Sequence, residues 1–345
     1  SKNNLHLVGY STPIHKTLSL SELSKFLYSV PDQPHAIPYV TSYYEERWGF
    51  CLSENERKNL IAGDYEVFID SELFNGSLTY GELIIPGSSE KEIFLSTYIC
   101  HPSMANNELS GPIVSMSLIN YFKKIKNLSK TIRFIFIPET IGSITYISKN
   151  LYDLKSNLIG GYNLSCIGDE RQHSCLLSKY ENSPSDKALI EAYKKLRIKY
   201  KKYSFLKRGS DERQFNSPGI DLPITSIFRS KYGEYPEYHT SLDNFSLVTI
   251  KGVKDGFKVA CKAVNILLKK TIPQNLVLCE PQMGKRGLYP TISTKKQNKI
   301  TQKYMDFLQY ADGKNDLKDI SNKIQPNLLL AKKIYITLKK NNLAR

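Results

Sequence analysis

Residues 96–111, STYICHPSMANNELSG, set a histidine just past an apolar, strand-like run. Amides, a carboxylate and a Ser-Gly pair that opens a helical pattern follow it. Tyr98, His101, Asn107 and Glu108 are the side chains of this stretch that could approach a cation. Further along, Glu139 follows a second apolar run in PETIGS (138–143), and Asp169 lies in GDE (168–170). Asp211, Glu212 and Arg213 fall in the Gly/Pro-rich RGSDERQFNSPGIDLP (208–223), and Tyr238, His239 and Asp243 in EYPEYHTSLDN (234–244). Zinc takes imidazole nitrogens and carboxylate oxygens that converge from separate loops, and a catalytic zinc keeps one position open for water. His101, Glu139, Asp169 and His239 provide that inventory. Each also has a plainer use: a loop histidine solvated or hydrogen-bonded, Glu139 and Asp169 capping helices or pairing with lysines, Asp243 as a helix N-cap.

Positioning these groups falls to an alternation of strand and helix patterns over residues 92–268. EIFLSTYI (92–99), TIRFIFIP (131–138), LIGGYNLSCIG (158–168) and PITSIFR (223–229) are short apolar runs, which predicts strands buried on both faces. Helical spacing recurs at 111–126, in SITYISKNLYDL, in DKALIEAYKKLRIKY (186–200) and in KGVKDGFKVACKAVNILLKK (251–270). The alternation predicts an α/β fold, a mostly parallel sheet with helices on both faces, and ligands beyond the carboxyl ends of its strands. Each polar cluster follows a strand or fills a loop. Residues 1–85 are rich in Pro, Tyr and Ser, with short runs such as YEVFID and SLTYGELIIPG, and predict a small β-rich subdomain. The α/β domain then covers 86–283. Over 284–345, KQNKITQKYMDFLQYAD, NDLKDISNKI and NLLLAKKIYITLKK are three helical patterns separated by a Gly turn and a Pro turn, the last two spaced like a helix-turn-helix. The set resembles a winged helix, whose β-wing would continue past Arg345.

The 345 residues suffice for one large and one small domain, and the composition is that of an ordinary globular protein. Six scattered cysteines without a CxxC pair argue against a zinc ribbon or a disulfide scaffold and predict reduced thiols in the cytoplasm. No apolar stretch approaches membrane-spanning length and no signal peptide opens the chain. Ser1 stands where an initiator Met would, which predicts a trimmed start. Of the net charge of +15, residues 281–345 carry a surplus of ten, with 14 Lys/Arg against 4 Asp/Glu. Such a surface suits nucleic acid or an acidic partner, or reflects a lysine-rich composition.

WGFCLS, YEVFIDSELFNGSLTYGELIIPG, STYICHPSMANNELSG, IPETIGSITYI, RGSDERQFNSPGIDLP and YPEYHTSLDN resemble the bacterial aminopeptidase-like proteins encoded among surface-polysaccharide biosynthesis genes. These carry a C-terminal winged helix and are distant relatives of the co-catalytic zinc aminopeptidases of the glutamate-carboxypeptidase type. The resemblance runs in order over nearly the whole chain, and implies that family members extend further at the N-terminus. It implies two zinc ions bridged by an aspartate in an Asp-Asn-x-Ser-Gly-like turn. The matching residue here is Asn107, whose amide offers one oxygen and an NH₂ that repels a cation. The relatives' histidine matches Tyr98, a poor ligand at neutral pH. Their Glu-Glu pair matches Glu139 followed by Thr140, and their third carboxylate falls near Ser165, with Asp169 four residues on. The resemblance therefore implies a rearranged site holding one zinc rather than two, with His101 and Glu108 substituting, His239 as the best-matched ligand and Glu139 as proton shuttle.

Asp211, Arg213, Tyr238 and the aromatic group Tyr43, Tyr44 and Trp48 are candidates to hold a substrate, either a small peptide or an amino sugar. Three functions remain: a zinc-dependent amide hydrolase, a lapsed peptidase serving as a scaffold in glycan assembly, and a DNA-binding regulator. The last is weakened by NLLLAKKIYITLKK, which is dominated by apolar residues and poor in base-reading side chains. Oligomeric state is left open.

Overall fold

The structure, a computed structural model, describes residues 3–289 and 299–345. Ser1 and residues 296–298, the start of the first helical pattern of the tail, lie outside the described residues.

The N-terminal segment forms two small sheets. Ile14–Ser19 (β1) pairs antiparallel with Asp64–Ile69 (β4), and Leu27–Tyr28 (β2) pairs with Phe50–Cys51 (β3). In β4 only Val67 and Ile69 are buried, the alternation expected of a strand with one wet face. Two short helices, Leu20–Leu23 (α1) and Glu54–Lys58 (α2), start at capping boxes built from Ser19 with Glu22 and Ser53 with Glu56.

Among the described residues the main sheet has seven strands: Gly81–Ile85 (β5), Glu92–Tyr98 (β6), Thr131–Ile137 (β7), Leu158–Leu164 (β8), Ser174–Leu176 (β9), Lys201–Tyr203 (β10) and Ile224–Phe228 (β11). Their order is β10-β9-β11-β8-β6-β7-β5. The central four, β11, β8, β6 and β7, run parallel; β5 pairs antiparallel with β7, and β9 pairs antiparallel with β11 but parallel with β10. Every residue of β6 is buried, so its EIFLSTY reads as a continuous apolar run rather than an alternation. Its one charge, Glu92, is met by a two-pronged Arg133 (2.7 and 2.8 Å). One face of the sheet is covered by Ser110–Phe122 (α3), Pro184–Leu196 (α5) and Ile250–Lys269 (α7), which bury Val114, Leu118, Leu189, Tyr193 and Val264. The other face is covered by Ile141–Asn157 (α4) and the single turn Glu212–Phe215 (α6), through Tyr146, Ile147, Leu154 and Phe215.

Predicted and observed elements differ where local geometry intervenes. LIGGYNLSCIG stops being a strand at Leu164, because the chain turns at Cys166 with a left-handed φ of 46°. The helix predicted over 186–200 ends at Leu196, capped by left-handed Arg197. β9 and β10 are three residues each, too short to leave a periodic signal. β5, within residues 1–85, forms an edge of the main sheet.

The tail folds around its own core. Lys299–Tyr310 (α8), Leu317–Ile324 (α9) and Leu328–Lys340 (α10) bury Phe307, Leu308, Ile320, Ile334 and Leu338 together with Met283 and Leu343. Ion pairs Lys270–Asp316 (2.5 Å) and Lys187–Asp319 (2.7 Å) fasten α9 to the sheet domain. Among the described residues no helix is long and apolar enough to cross a membrane.

Candidate metal centre

The C-terminal ends of β6 and β7 deliver two loops to one place. From the first come Cys100 and His101, and from the second Glu139. One donor atom from each lies within 4.8 Å of the others, the one such His/Cys/Asp/Glu grouping among the described residues. Glu108 orders the arrangement from below. One of its oxygens lies 2.5 Å from His101 Nδ1, and the other accepts the Cys100 backbone N–H at 2.8 Å. With Nδ1 held, the ring presents Nε2 to Glu139, 3.8 Å from Oε2. That is too long for a hydrogen bond. It is close to the roughly 3.3 Å that separates two ligands sitting about 2.0–2.1 Å from a tetrahedral zinc.

Glu108 stands there because residues Ala105–Leu109 form a wide π-type turn before α3. The turn is clamped by Asp243, whose two oxygens accept the backbone N–H of Asn106 (2.5 Å) and of Asn107 (3.0 Å), with Tyr235 O–H on the second at 3.0 Å. Asp243 is thus a cap, but of this turn. Gly111 lets the turn sit directly on the sheet: a Cβ there would stand 2.3 Å from Thr97 Oγ1 and 2.4 Å from the Leu164 carbonyl.

His239 completes the wall. Its ring lies 5.0 Å from that of His101, stacks on Tyr238 at 3.9 Å, and meets the edge of Tyr39 at 5.1 Å, as does His101. His239 Nε2 is buried with no partner among the described residues. A buried imidazole nitrogen left unpaired is costly unless something binds it. Behind Glu139, Thr140 has φ 63°, a strained conformation for a β-branched residue. It is held there by Asp211, which accepts its N–H at 2.8 Å, and by Arg213, whose guanidinium donates to its hydroxyl at 2.7 Å. Ser143 O–H donates to the same Asp211 oxygen, and the other oxygen, Oδ2, is buried and unpartnered.

These contacts set the protonation states. Burial lowers His239 to about 4, helped by the neighbouring His101 charge, so it is a neutral base at pH 7. Burial also opposes a charge on His101, but the Glu108 hydrogen bond and the charges of Glu108, Glu139 and Asp211 outweigh it and move the group up. Glu139 is raised by burial, against the pull of Ser210 and His101. Asp211, wholly buried and facing Glu139, rises to about 7. Burial and the Glu108 charge keep the Cys100 thiol well above its ordinary value. A crowd of buried carboxylates with raised values is short of positive charge, which a divalent cation would supply.

The structure brings together His101, Glu108, Glu139, His239, Tyr238, Asp211 and Arg213. It does not bring Asp169 or Asn107. Asp169 accepts N–H groups from Ser230 (2.8 Å), Arg171 (2.9 Å) and the Asn106 amide (3.1 Å), and the Ser230 hydroxyl at 2.8 Å, leaving neither oxygen spare. Asn107 is turned inward: its Oδ1 accepts the Tyr98 hydroxyl at 2.8 Å and its NH₂ points to Met104 Sδ. Trp48 is a packing residue, stacked on Phe26 at 4.0 Å within the β1–β4 core. Tyr43 is exposed and touches the site only through Tyr39. Cys100 and Tyr39 were not predicted. The Cys-His pair itself was the available signal for Cys100; Tyr39 comes from a loop with no metal-like spacing.

The family described as "Domain of unknown function (DUF4910)" matches residues 4–270, and a winged helix-turn-helix family matches 271–345. A protein of Clostridium acetobutylicum, named for polysaccharide biosynthesis with an aminopeptidase-like domain, is 43% identical over 327 residues, 93% of this chain and 74% of its own. A crystal structure of a candidate peptidase from Clostridium acetobutylicum superposes with a TM-score of 0.77 at 39% identity, covering 100% of this chain and 78% of the other. At fold level only, BSAP, a zinc aminopeptidase from Bacillus subtilis, superposes with a TM-score of 0.54 at 15% identity over 69% of this chain and 62% of its own. The parallel sheet and the separate C-terminal helical unit agree with these likenesses: the chain belongs to the DUF4910 family of aminopeptidase-like proteins with a C-terminal winged helix.

Proposed function

We propose that this protein is a zinc-dependent amide hydrolase that binds one metal ion. The observation carrying this reading is the Glu108–His101 pair, which locks Nδ1 and aims Nε2 at Glu139 beside the Cys100 thiol. A carboxylate that orients a histidine from behind is a common feature of metal sites. Nitrogen, sulfur and carboxylate oxygen together suit zinc, and the orphaned His239 Nε2 offers a further nitrogen. A second ion has no comparable seat, since Asn107 and Asp169 have spent their oxygens.

His101, His239 and Cys100 would hold the ion, which when bound would acidify water and polarise a carbonyl, leaving Glu139 free as the base. Glu139, kept above the ordinary carboxylate range, takes the proton from the attacking water as the C–O bond forms. It returns that proton to the departing amine as the C–N bond breaks. Arg213 stands within reach of an acidic group on the substrate, and Tyr39 and Tyr238 give aromatic walls suited to a peptide or amino-sugar face. The relative's name makes an aminoacyl or N-acyl precursor in polysaccharide assembly the substrate class to try first.

The test is hydrolysis of aminoacyl and N-acetyl-amino-sugar amides by zinc-loaded protein. Activity that disappears in Glu139→Gln while zinc is retained supports the hydrolase; wild-type protein that binds zinc but cleaves no amide leaves a scaffold. That second reading is favoured by the Tyr98–Asn107 bond, which occupies the side chain that the resemblance matches to a bridging carboxylate. A role on DNA has weaker support: the exposed side of α10 carries Lys332, Lys333, Lys339 and Lys340, fit for phosphates but not for reading bases.

A further inference from the structure

A cavity of about 510 Å³ lies at the opposite edge of the main sheet, where β6, β8 and β11 begin and the C-terminal unit docks. The seven residues of β6 put it on the order of 20 Å from the metal centre. Its lining includes Lys91, Lys155, Lys179 and Lys314, against Asp221 and Asp312. Both carboxylates are already engaged. Asp221 pairs with Lys179 at 3.0 Å. Asp312 accepts the N–H groups of Lys314 and Asn315, both at 2.9 Å, and the Asn315 amide at 3.0 Å, so it is used by its own turn.

Lys91 and Lys155 donate hydrogen bonds only to neutral groups, and feel the charges of Glu90 and Asp221 without a close ion pair. Lys91 Nζ donates to the Ser156 carbonyl at 2.8 Å and to Gln274 Oε1 at 3.3 Å; Arg345 Nε donates to that same Gln274 oxygen at 3.0 Å. Two cations therefore share one amide oxygen, and burial together with the Arg345 charge moves Lys91 below its ordinary value. Lys155 reaches the Gly219 carbonyl. Lys314 has no ion-pair partner among the described residues. The rest of the wall is mixed: Leu158, Ile159, Leu222 and Ile272 are apolar, and the exposed ring of Tyr180 stands at the side.

We propose that this cavity binds a small phosphorylated molecule of about nucleoside diphosphate size, its phosphoryl oxygens against Lys91, Lys155 and Lys314 and its ring beside Tyr180. Four lysines against two carboxylates, with Lys91, Lys155 and Lys314 in no close ion pair among the described residues, suit a ligand with many charged oxygens better than a single carboxylate. The volume suits a small ligand and is too enclosed for a duplex. Because Ile272, Gln274, Asp312 and Gly313 belong to the junction and the tail, the ligand touches both units and ties them together. The site is independent of the metal and of the hydrolase reading.

Calorimetric titration of the full chain with uridine 5′-diphosphate, and separately with inorganic pyrophosphate, tests it. One saturable site that weakens as salt rises is expected. In Lys91→Gln/Lys155→Gln the affinity should fall about tenfold or more, the loss expected of charge-assisted hydrogen bonds. Lys314→Gln alone, whose side chain supports nothing in the fold, should weaken binding severalfold and guards against a double variant that misfolds. Tighter binding of the nucleotide than of pyrophosphate supports the Tyr180 contact. Equal binding supports a bare phosphoryl site. No saturable binding of either probe, or unchanged affinity in the folded variants, overturns the proposal.

Discussion

Two neighbouring regions, built from the same strand ends, have opposite economies of hydrogen bonding. In the first, Cys100, His101, Glu139 and His239 converge with atoms to spare: His239 Nε2 and Asp211 Oδ2 are buried without partners among the described residues, and the His101–Glu139 gap is too wide for a direct bond. In the second, Tyr98, Asn106, Asn107, Asp169 and Asp243 satisfy one another almost completely. The first keeps polar atoms open, and the second is a finished interior. A polar network closed on itself rigidifies and excludes a ligand; an open one of buried charges waits for a counter-ion. Residue type alone does not separate the two, because both contain carboxylates at strand ends.

The sharpest way to break this contrast is to open the closed region. Tyr98→His with Asn107→Asp restores an imidazole and a two-oxygen carboxylate, and should raise zinc uptake above one equivalent in metal analysis. Content unchanged from wild type would show that the Tyr98–Asn107 contact is not what closes the second seat. Weakening the open region from behind comes next. Glu108→Gln keeps the shape but removes the charge that holds His101 Nδ1, and should lower zinc affinity by about 10–100-fold in a chelator competition.

Ser230→Ala probes the closed region on its own terms. It strips a hydroxyl from buried Asp169 and should cost about 1–3 kcal/mol in urea unfolding while zinc affinity stays put. A loss of zinc in this variant would return Asp169 to the ligand set.

The remaining test concerns pH. Asp211 rises to about 7 through burial and the facing Glu139 charge, against an ordinary value near 4. Between those values the metal-free folded chain keeps a proton that the unfolded chain has released, so stability falls as pH rises through that window. Asp211→Asn preserves the acceptor for Thr140 and Ser143 and should flatten that slope, with the variant gaining on wild type as pH rises to 8. Equal slopes in the two proteins would mean that Asp211 is already ionised at low pH.

How far the sequence reached follows the same division. The long buried strands and amphipathic helices were legible because burial on both faces, or on one stripe, leaves a periodic trace, as in EIFLSTYI and in α7. β9 and β10 left none, being three residues long. His101 and Glu139 were legible as donors because they follow strands, and His239 because it lies in a polar loop. Asp169 follows a strand too, and nothing local distinguishes it: its fate is decided by Ser230, some sixty residues away. Asn107 gave the opposite lesson. Its amide chemistry already argued against a bridging role, and only the Tyr98 hydroxyl across the turn shows what it does instead. Trp48 is set by the facing ring of Phe26, a tertiary contact with no sequence signature.

Zinc content after equilibration with excess metal and gel filtration, for wild type beside His101→Ala, tests the account most directly. One equivalent in the wild type and essentially none in the variant is the predicted result. A wild type that emerges empty, or a variant that keeps its full equivalent, would contradict the assignment of this strand-end cluster as a metal centre.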